Sequence, residues 1–200
     1  MKIGIMGGTF DPPHIGHLVI AQCALTRMRL DKIWFMPAGD PPHKESGVTQ
    51  KEHRKNMIAA AIASNPDFEL FTYEMDKERP SYSAVTMTEL DEKYPDAEFF
   101  FIMGADSLLH FENWYRPDVI CAHTALIVAN RNNVPQEEIF SLKQKLEQKF
   151  NAKIYFMDTP QMEIGSGRLR AEQYGIKGIR YRVPEPVYEY IVEHKLYGEP

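Results

Sequence analysis

Four short runs constrain this chain more than any other feature in it. Lys2–Met6 (KIGIM), Lys32–Met36 (KIWFM), Glu98–Met103 (EFFFIM) and Thr124–Ala129 (TALIVA) are almost continuously apolar, and glycine or proline closes the first three. A strand with one wet face alternates polar and apolar residues, whereas a strand apolar throughout must be covered on both sides. Phe68–Phe71 and Lys153–Met157 read as two further strands. Between them the spacing predicts helices over His14–Arg27, from a Thr49/Glu52 capping box through Asn56–Ala63, over Ser83–Lys93 and over Gln136–Phe150. Strands alternating with helices predict a doubly wound α/β fold with a mostly parallel sheet and a helical C-terminal portion. The expectation is one domain over residues 1–200.

Composition narrows the class of partner. The chain is 44% hydrophobic and 26% charged with a net charge of −5, which argues against disorder and against a basic nucleic-acid face. Cys23 and Cys121 each lie in an apolar stretch without a CxxC spacing, so reduced core thiols are expected. The first apolar run is too short for a signal-peptide core, and no later run approaches membrane-spanning length. The expected compartment is the cytoplasm.

Ligands of doubly wound sheets sit outside the carboxyl ends of the strands, which directs attention to the loops there. The loop after the first strand reads Gly7-Gly8-Thr9-Phe10-Asp11-Pro12-Pro13-His14-Ile15-Gly16-His17. Adjacent glycines allow backbone to approach a phosphate. His14 and His17, three residues apart, fall on one face of a helix start. That first turn is expected to offer free N–H groups and the positive end of the helix dipole to an anion. A GxGxxG dinucleotide fingerprint and a GK[ST] Walker loop are both absent, and no Cys, Asp or Glu cluster completes a metal site with the histidines.

The segment GGTFDPPHIGH resembles the (T/G)xFDPxHxGH signature of the nucleotidylyltransferase superfamily. PPHK at Pro41–Lys44, PSYS with Thr86 behind it, GADS at Gly104–Ser107, Trp114-Tyr115, Asn130-Arg131 and VPEPVYEYI narrow the resemblance to the bacterial nicotinate-nucleotide adenylyltransferase branch. The resemblance runs through nearly the whole chain and implies a Rossmann-like fold. It implies adenylyl transfer from ATP, accompanied by Mg²⁺, to nicotinate mononucleotide, and leaves room for a homo-oligomer.

The resemblance also distributes roles. His14, His17 and Arg170 would act on the reacting phosphates, with Gly7, Gly8, Thr9, Phe10, Arg131 and Ser166 holding ATP. Lys44, Gly104 and Asp106 would contact nucleotide or phosphate; for Asp106 this is favoured over capping the helix that follows, which would not explain Gly104. Trp114 would stack on the pyridine ring, with Thr86 and the Tyr115 amide on the nicotinate carboxylate. No metal-ligating residues are implied. The chain departs from the family's ISSTxIR motif at Ile164–Arg170, where Gly165 and Gly167 replace a serine and a threonine.

Three other readings compete. Nicotinamide mononucleotide or phosphopantetheine could be the acceptor, although the phosphopantetheine enzymes lack the Trp114 context. A non-catalytic nucleotide sensor could use the same fold. A dehydrogenase fails on the missing glycine fingerprint.

Overall fold

A computed structural model describes residues 1–40, 47–130, 136–171 and 175–198, without the side chains of 130 and 136. Six parallel strands form one sheet in the order β3-β2-β1-β4-β5-β6: β1 (Lys2–Gly8), β2 (Lys32–Pro37), β3 (Phe68–Leu70), β4 (Glu98–Gly104), β5 (Ala125–Asn130) and β6 (Ile154–Asp158). This is the doubly wound order, and all five pairings are parallel.

The helices are α1 (Ile15–Arg27), α2 (Lys51–Ile62), α3 (Ser83–Lys93), α4 (Ala105–Leu109), α5 (Pro117–His123), α6 (Gln136–Phe150), α7 (Ser166–Arg170) and α8 (Glu185–Glu193). Short 3₁₀ turns occupy Phe111–Asn113 and Gly175–Ile179. The expected helices over Ser83–Lys93 and Gln136–Phe150 are found with the same bounds.

Two apolar clusters explain why the strands lack polar alternation. On one face Ile33, Phe35, Phe100, Ile102 and Ile127 pack against α1, α2 and α8 through Ile20, Ala24, Met57, Ile58, Val187 and Ile191. On the other face Trp34, Met36, Phe99, Phe101, Leu126 and Val128 pack against α3, α5 and α6 through Met87, Leu90, Ile120 and Leu146. Successive side chains leave opposite faces, so both registers of each central strand must be apolar. Each fully buried Ile, Leu or Phe contributes roughly 1.5–3 kcal/mol, and those on β1, β2, β4 and β5 form the sheet's centre.

Two expectations need correction, and one alternative falls away. Gly7 and Gly8 belong to β1, since Gly7 pairs with Met36 and Gly8 with Pro37. Thr49 does not cap α2: Gln50 stands at the N-cap, while Thr49 gives its N–H to Asp11 and its carbonyl to Arg54. Asp106 does not cap α4; Gly104 does, with Asp106 in the first turn.

Candidate active site

Strand order reverses between β1 and β4, and the chain leaves these neighbours towards opposite faces of the sheet. That divergence opens a crevice at the carboxyl ends. A cavity of about 370 Å³ lies there, walled by the strand ends at Met6, Gly7, Gly8, Met103 and Gly104.

The loop after β1 is fixed by its neighbours. A Cβ at Gly7 would stand 3.2 Å from the Phe101 ring, and one at Gly8 would stand 3.3 Å from the Phe10 ring. Phe10 takes a left-handed backbone conformation (φ 51°), and the Asp11–Pro12 peptide is cis. The buried Phe10 side chain meets the His17 ring edge to face at 4.9 Å.

His14 is the N-cap of α1 with extended φ −138°, and His17 is its third helical residue. Their rings stack with centroids 3.6 Å apart. The His14 backbone N–H donates to His17 Nδ1 at 3.1 Å. A neutral imidazole that accepts at Nδ1 carries its proton on Nε2. His17 lines the cavity, whereas His14 is buried behind it. Gly16 makes this stack feasible, because a Cβ there would lie 3.0 Å from His14 Nδ1.

The expectation that the first turn offers several free amides is corrected in part. The Ile15 N–H donates to the Arg182 carbonyl at 3.0 Å and the His17 N–H to the His14 carbonyl at 2.9 Å.

The cavity brings Gly7, Gly8, Thr9, His17, Gly104, Trp114 and Tyr115 together. Trp114 is half-buried, with the Phe101 ring perpendicular to it at 6.0 Å, and Tyr115 lies 4.7 Å from Tyr82 across the rim. Arg170 and Ser166 do not line the cavity. They brace the loop from α7, where Arg170 Nη1 donates to the Asp11 carbonyl at 2.5 Å and Ser166 Oγ to the Pro12 carbonyl at 2.9 Å. Asp106 is exposed on α4. Lys44 and Arg131 lie outside the described residues.

Thr86 is buried behind the cavity wall and donates its hydroxyl to Glu74 Oε1 at 2.8 Å. Glu74 lines the cavity beside Ser81, whose Oγ accepts the Gly39 N–H at 3.0 Å. Burial raises the Glu74 carboxyl above its ordinary value, against the lowering effect of Thr86, Ser81 and Arg79. Gly39 is obligatory in this wall, since a Cβ there would lie 2.2 Å from the Glu74 carbonyl oxygen.

A second buried group was not legible in the sequence. Arg54, 1% exposed, donates to the carbonyls of Thr9 (3.0 Å), Ala38 (2.8 Å), Gly39 (3.2 Å) and Thr49 (3.0 Å). It joins the loop after β1 to the loop after β2. Burial lowers its pKa and the Asp11 carboxylate opposes that shift. PSYS and GADS carried the sequence signal for cavity residues Ser81, Tyr82, Ser83 and Ser107, and the end of the KIWFM strand that for Met36 and Ala38; Glu74 gave none.

A glycine-ended strand and an imidazole over the switch point of a parallel sheet are the marks of an α/β nucleotide-binding protein. Residues 5–172 match the cytidylyltransferase-like family. The chain is 39% identical over 197 residues to the nicotinate-nucleotide adenylyltransferase of Bacillus subtilis, covering 98% of both chains. It is 39% identical over 197 residues, again 98% of both, to a Lachnoclostridium phytofermentans protein named probable nicotinate-nucleotide adenylyltransferase. The chain belongs to the nicotinate-nucleotide adenylyltransferase family, within the cytidylyltransferase-like proteins. In fold it is similar to the Plasmodium falciparum nicotinic acid mononucleotide adenylyltransferase complexed with NaAD, with TM-score 0.78, 22% identity and coverage of 98% of this chain and 97% of that one.

Proposed function

We propose that this chain transfers the adenylyl group of ATP to nicotinate mononucleotide, giving nicotinate adenine dinucleotide and pyrophosphate in NAD biosynthesis. The observation that carries this reading is the His17 imidazole lining a cavity at the β1–β4 switch point in a chain of this family.

The acceptor phosphate is already largely dianionic at neutral pH, because its second pKa is about 6, so no general base is needed. One of its oxygens attacks the α-phosphorus, the bond to the bridging oxygen breaks, and pyrophosphate leaves with the electron pair. The protein must align two anions and stabilise charge on the α-phosphate. His17 fits as a hydrogen-bond donor to that group, with His14 stacked behind it to fix the ring. Gly7, Gly8 and Thr9 bring backbone close to the phosphates, while Phe10, Ser166 and Arg170 hold the loop from behind. To donate to ATP, Ser166 would exchange its Pro12 carbonyl partner, whereas the Arg170 guanidinium has further N–H donors beside the one on the Asp11 carbonyl.

Lys44 and Arg131 are assigned to phosphate and ATP, and Gly104 and Asp106 to nucleotide, on the family resemblance. Trp114 is assigned to the pyridine ring, where stacking contributes roughly 1–3 kcal/mol. The Tyr115 amide and the wall that contains Thr86 are assigned to the nicotinate carboxylate. Mg²⁺ enters with ATP as part of the substrate, its ligands being phosphate oxygens and water. Among the described residues no group of three His, Cys, Asp or Glu side chains could hold a resident ion. Cys23 and Cys121 are free thiols, which supports a cytoplasmic setting, and none of the described helices is long and apolar enough to cross a membrane.

The test is pyrophosphate release from ATP and Mg²⁺ with each acceptor offered singly. Release with nicotinate mononucleotide, well above that with nicotinamide mononucleotide or phosphopantetheine, is expected. Release with none of them would indicate a sensor and overturn the proposal.

A further inference from the structure

Asp11 lies within the loop after β1 and is fully buried. A carboxylate in that position is costly unless its oxygens are matched by donors. Oδ2 accepts the Thr49 N–H at 3.1 Å and lies 3.8 Å from Arg170 Nη1. Oδ1 accepts the hydroxyl of Tyr197 at 2.5 Å. These donors come from three separate parts of the chain, and Tyr197 is 186 positions away from Asp11.

The segment that delivers Tyr197 is itself held. The Leu196 N–H donates to the Ile191 carbonyl at 3.0 Å, and both Leu196 and Tyr197 pack against the core that contains α1, α2 and α8. Lys195 (φ 51°), Tyr197 (φ 63°) and Gly198 (φ 110°) all take left-handed backbone conformations, which fold the segment back onto the loop. Non-glycine residues adopt that region at an energetic cost, so packing and the Asp11 contact must hold them there. Burial and the Asp11 contact both raise the phenol's pKa, keeping it a protonated donor.

We infer that Tyr197 is a positioning residue for adenylyl transfer: through its hydrogen bond to Asp11 it holds the loop that carries Thr9, His14 and His17 in the geometry that receives the ATP phosphates. The inference rests on the assignment of that loop to ATP. Without the hydroxyl, Oδ1 loses a short bond, and the loop relies more on braces such as Arg54, Thr49, Ser166 and Arg170. The nicotinate wall, built from α3 and the 3₁₀ turn before Trp114, has no part in this contact.

Tyr197→Phe keeps the ring and its packing and removes only the donor, so steady-state kinetics with each substrate varied in turn test the role. Loss of one hydrogen bond to a charged group should raise the ATP KM or lower kcat by about tenfold in kcat/KM for ATP, with the KM for nicotinate mononucleotide changed less than about twofold. Asp11→Asn should show an ATP-selective loss at least as large, since it replaces one of the two acceptor oxygens by an NH2 donor and removes the charge facing Arg170. If Asp11→Asn fails to fold, the Tyr197→Phe profile alone decides. An ATP kcat/KM within twofold of the parent, or a KM for nicotinate mononucleotide raised as much as the KM for ATP, overturns the inference. A parent protein that releases no pyrophosphate with any acceptor would instead refute the assignment of the loop, a separate outcome.

Discussion

The imidazoles of His14 and His17 stack 3.6 Å apart, and the backbone N–H of the first donates to Nδ1 of the second. One residue thereby sets both the tilt and the tautomer of its neighbour.

Gly16 stands between the two histidines, where a Cβ would come within 3.0 Å of His14 Nδ1 and 3.1 Å of its Cε1. Gly16→Ala should therefore push the His14 ring out of the stack while leaving α1 intact, because alanine is the better helix former by about 1 kcal/mol. The expected result is a fall in kcat of at least about tenfold with little change in thermal midpoint. Unaltered kcat would mean that the stack does not orient His17.

Gly165 and Gly167 have no atom within 4 Å of where a Cβ would stand, and neither has a positive φ. Restoring the family's side chains by Gly165→Ser with Gly167→Thr should therefore fold normally. If the α7 start meets the triphosphate, the added hydroxyls should lower the ATP KM by about threefold to tenfold. An unchanged ATP KM would remove α7 hydroxyls from the ATP site.

Glu74 gives a pH dependence whose sign follows from its burial. A carboxyl with its folded pKa raised above the unfolded value of about 4.3 contributes stability that is fully present below that value. This contribution is lost as pH rises through the folded pKa. Glu74→Gln keeps an oxygen for the Thr86 hydroxyl and removes the ionisation. The variant's thermal midpoint should gain on the parent's as pH rises from 4 to 8, on the order of a few degrees. A difference that is flat across this range, or shrinks with pH, would show that the carboxyl is not held against ionisation.

Gly39→Ala should be strongly destabilising, since its Cβ would meet the Glu74 carbonyl oxygen at 2.2 Å and backbone must move. A loss of at least about 2 kcal/mol in denaturant unfolding is expected. A variant of parental stability would mean that the two loops are not held in contact.

Legibility in the sequence followed range. The sheet could be read because burial on both faces marks KIWFM and EFFFIM as strands without reference to distant residues. The loop after β1 was readable for a similar reason, since glycine pairs and spaced histidines are local. Helix starts failed where a distant partner intervened. Thr49 looked like a cap, but Asp11 and Arg54 claim its backbone. The capping alternative for Asp106 also fails, because the strand runs on to Gly104, which takes that place. Arg54, Glu74 and Tyr197 were invisible because a lone charged or phenolic side chain carries no periodicity. Their importance lies in pairs such as Arg54 with Thr9 and Tyr197 with Asp11, separated by 45 and 186 positions.

The account stands or falls on whether the His17 imidazole meets the reacting phosphate. Pyrophosphate release by His17→Ala at saturating ATP, Mg²⁺ and nicotinate mononucleotide measures this directly. Loss of a preorganised donor predicts a kcat lower by about two to three orders of magnitude, with circular dichroism and thermal midpoint showing a folded protein. A folded variant that retains near-parental kcat would contradict the account.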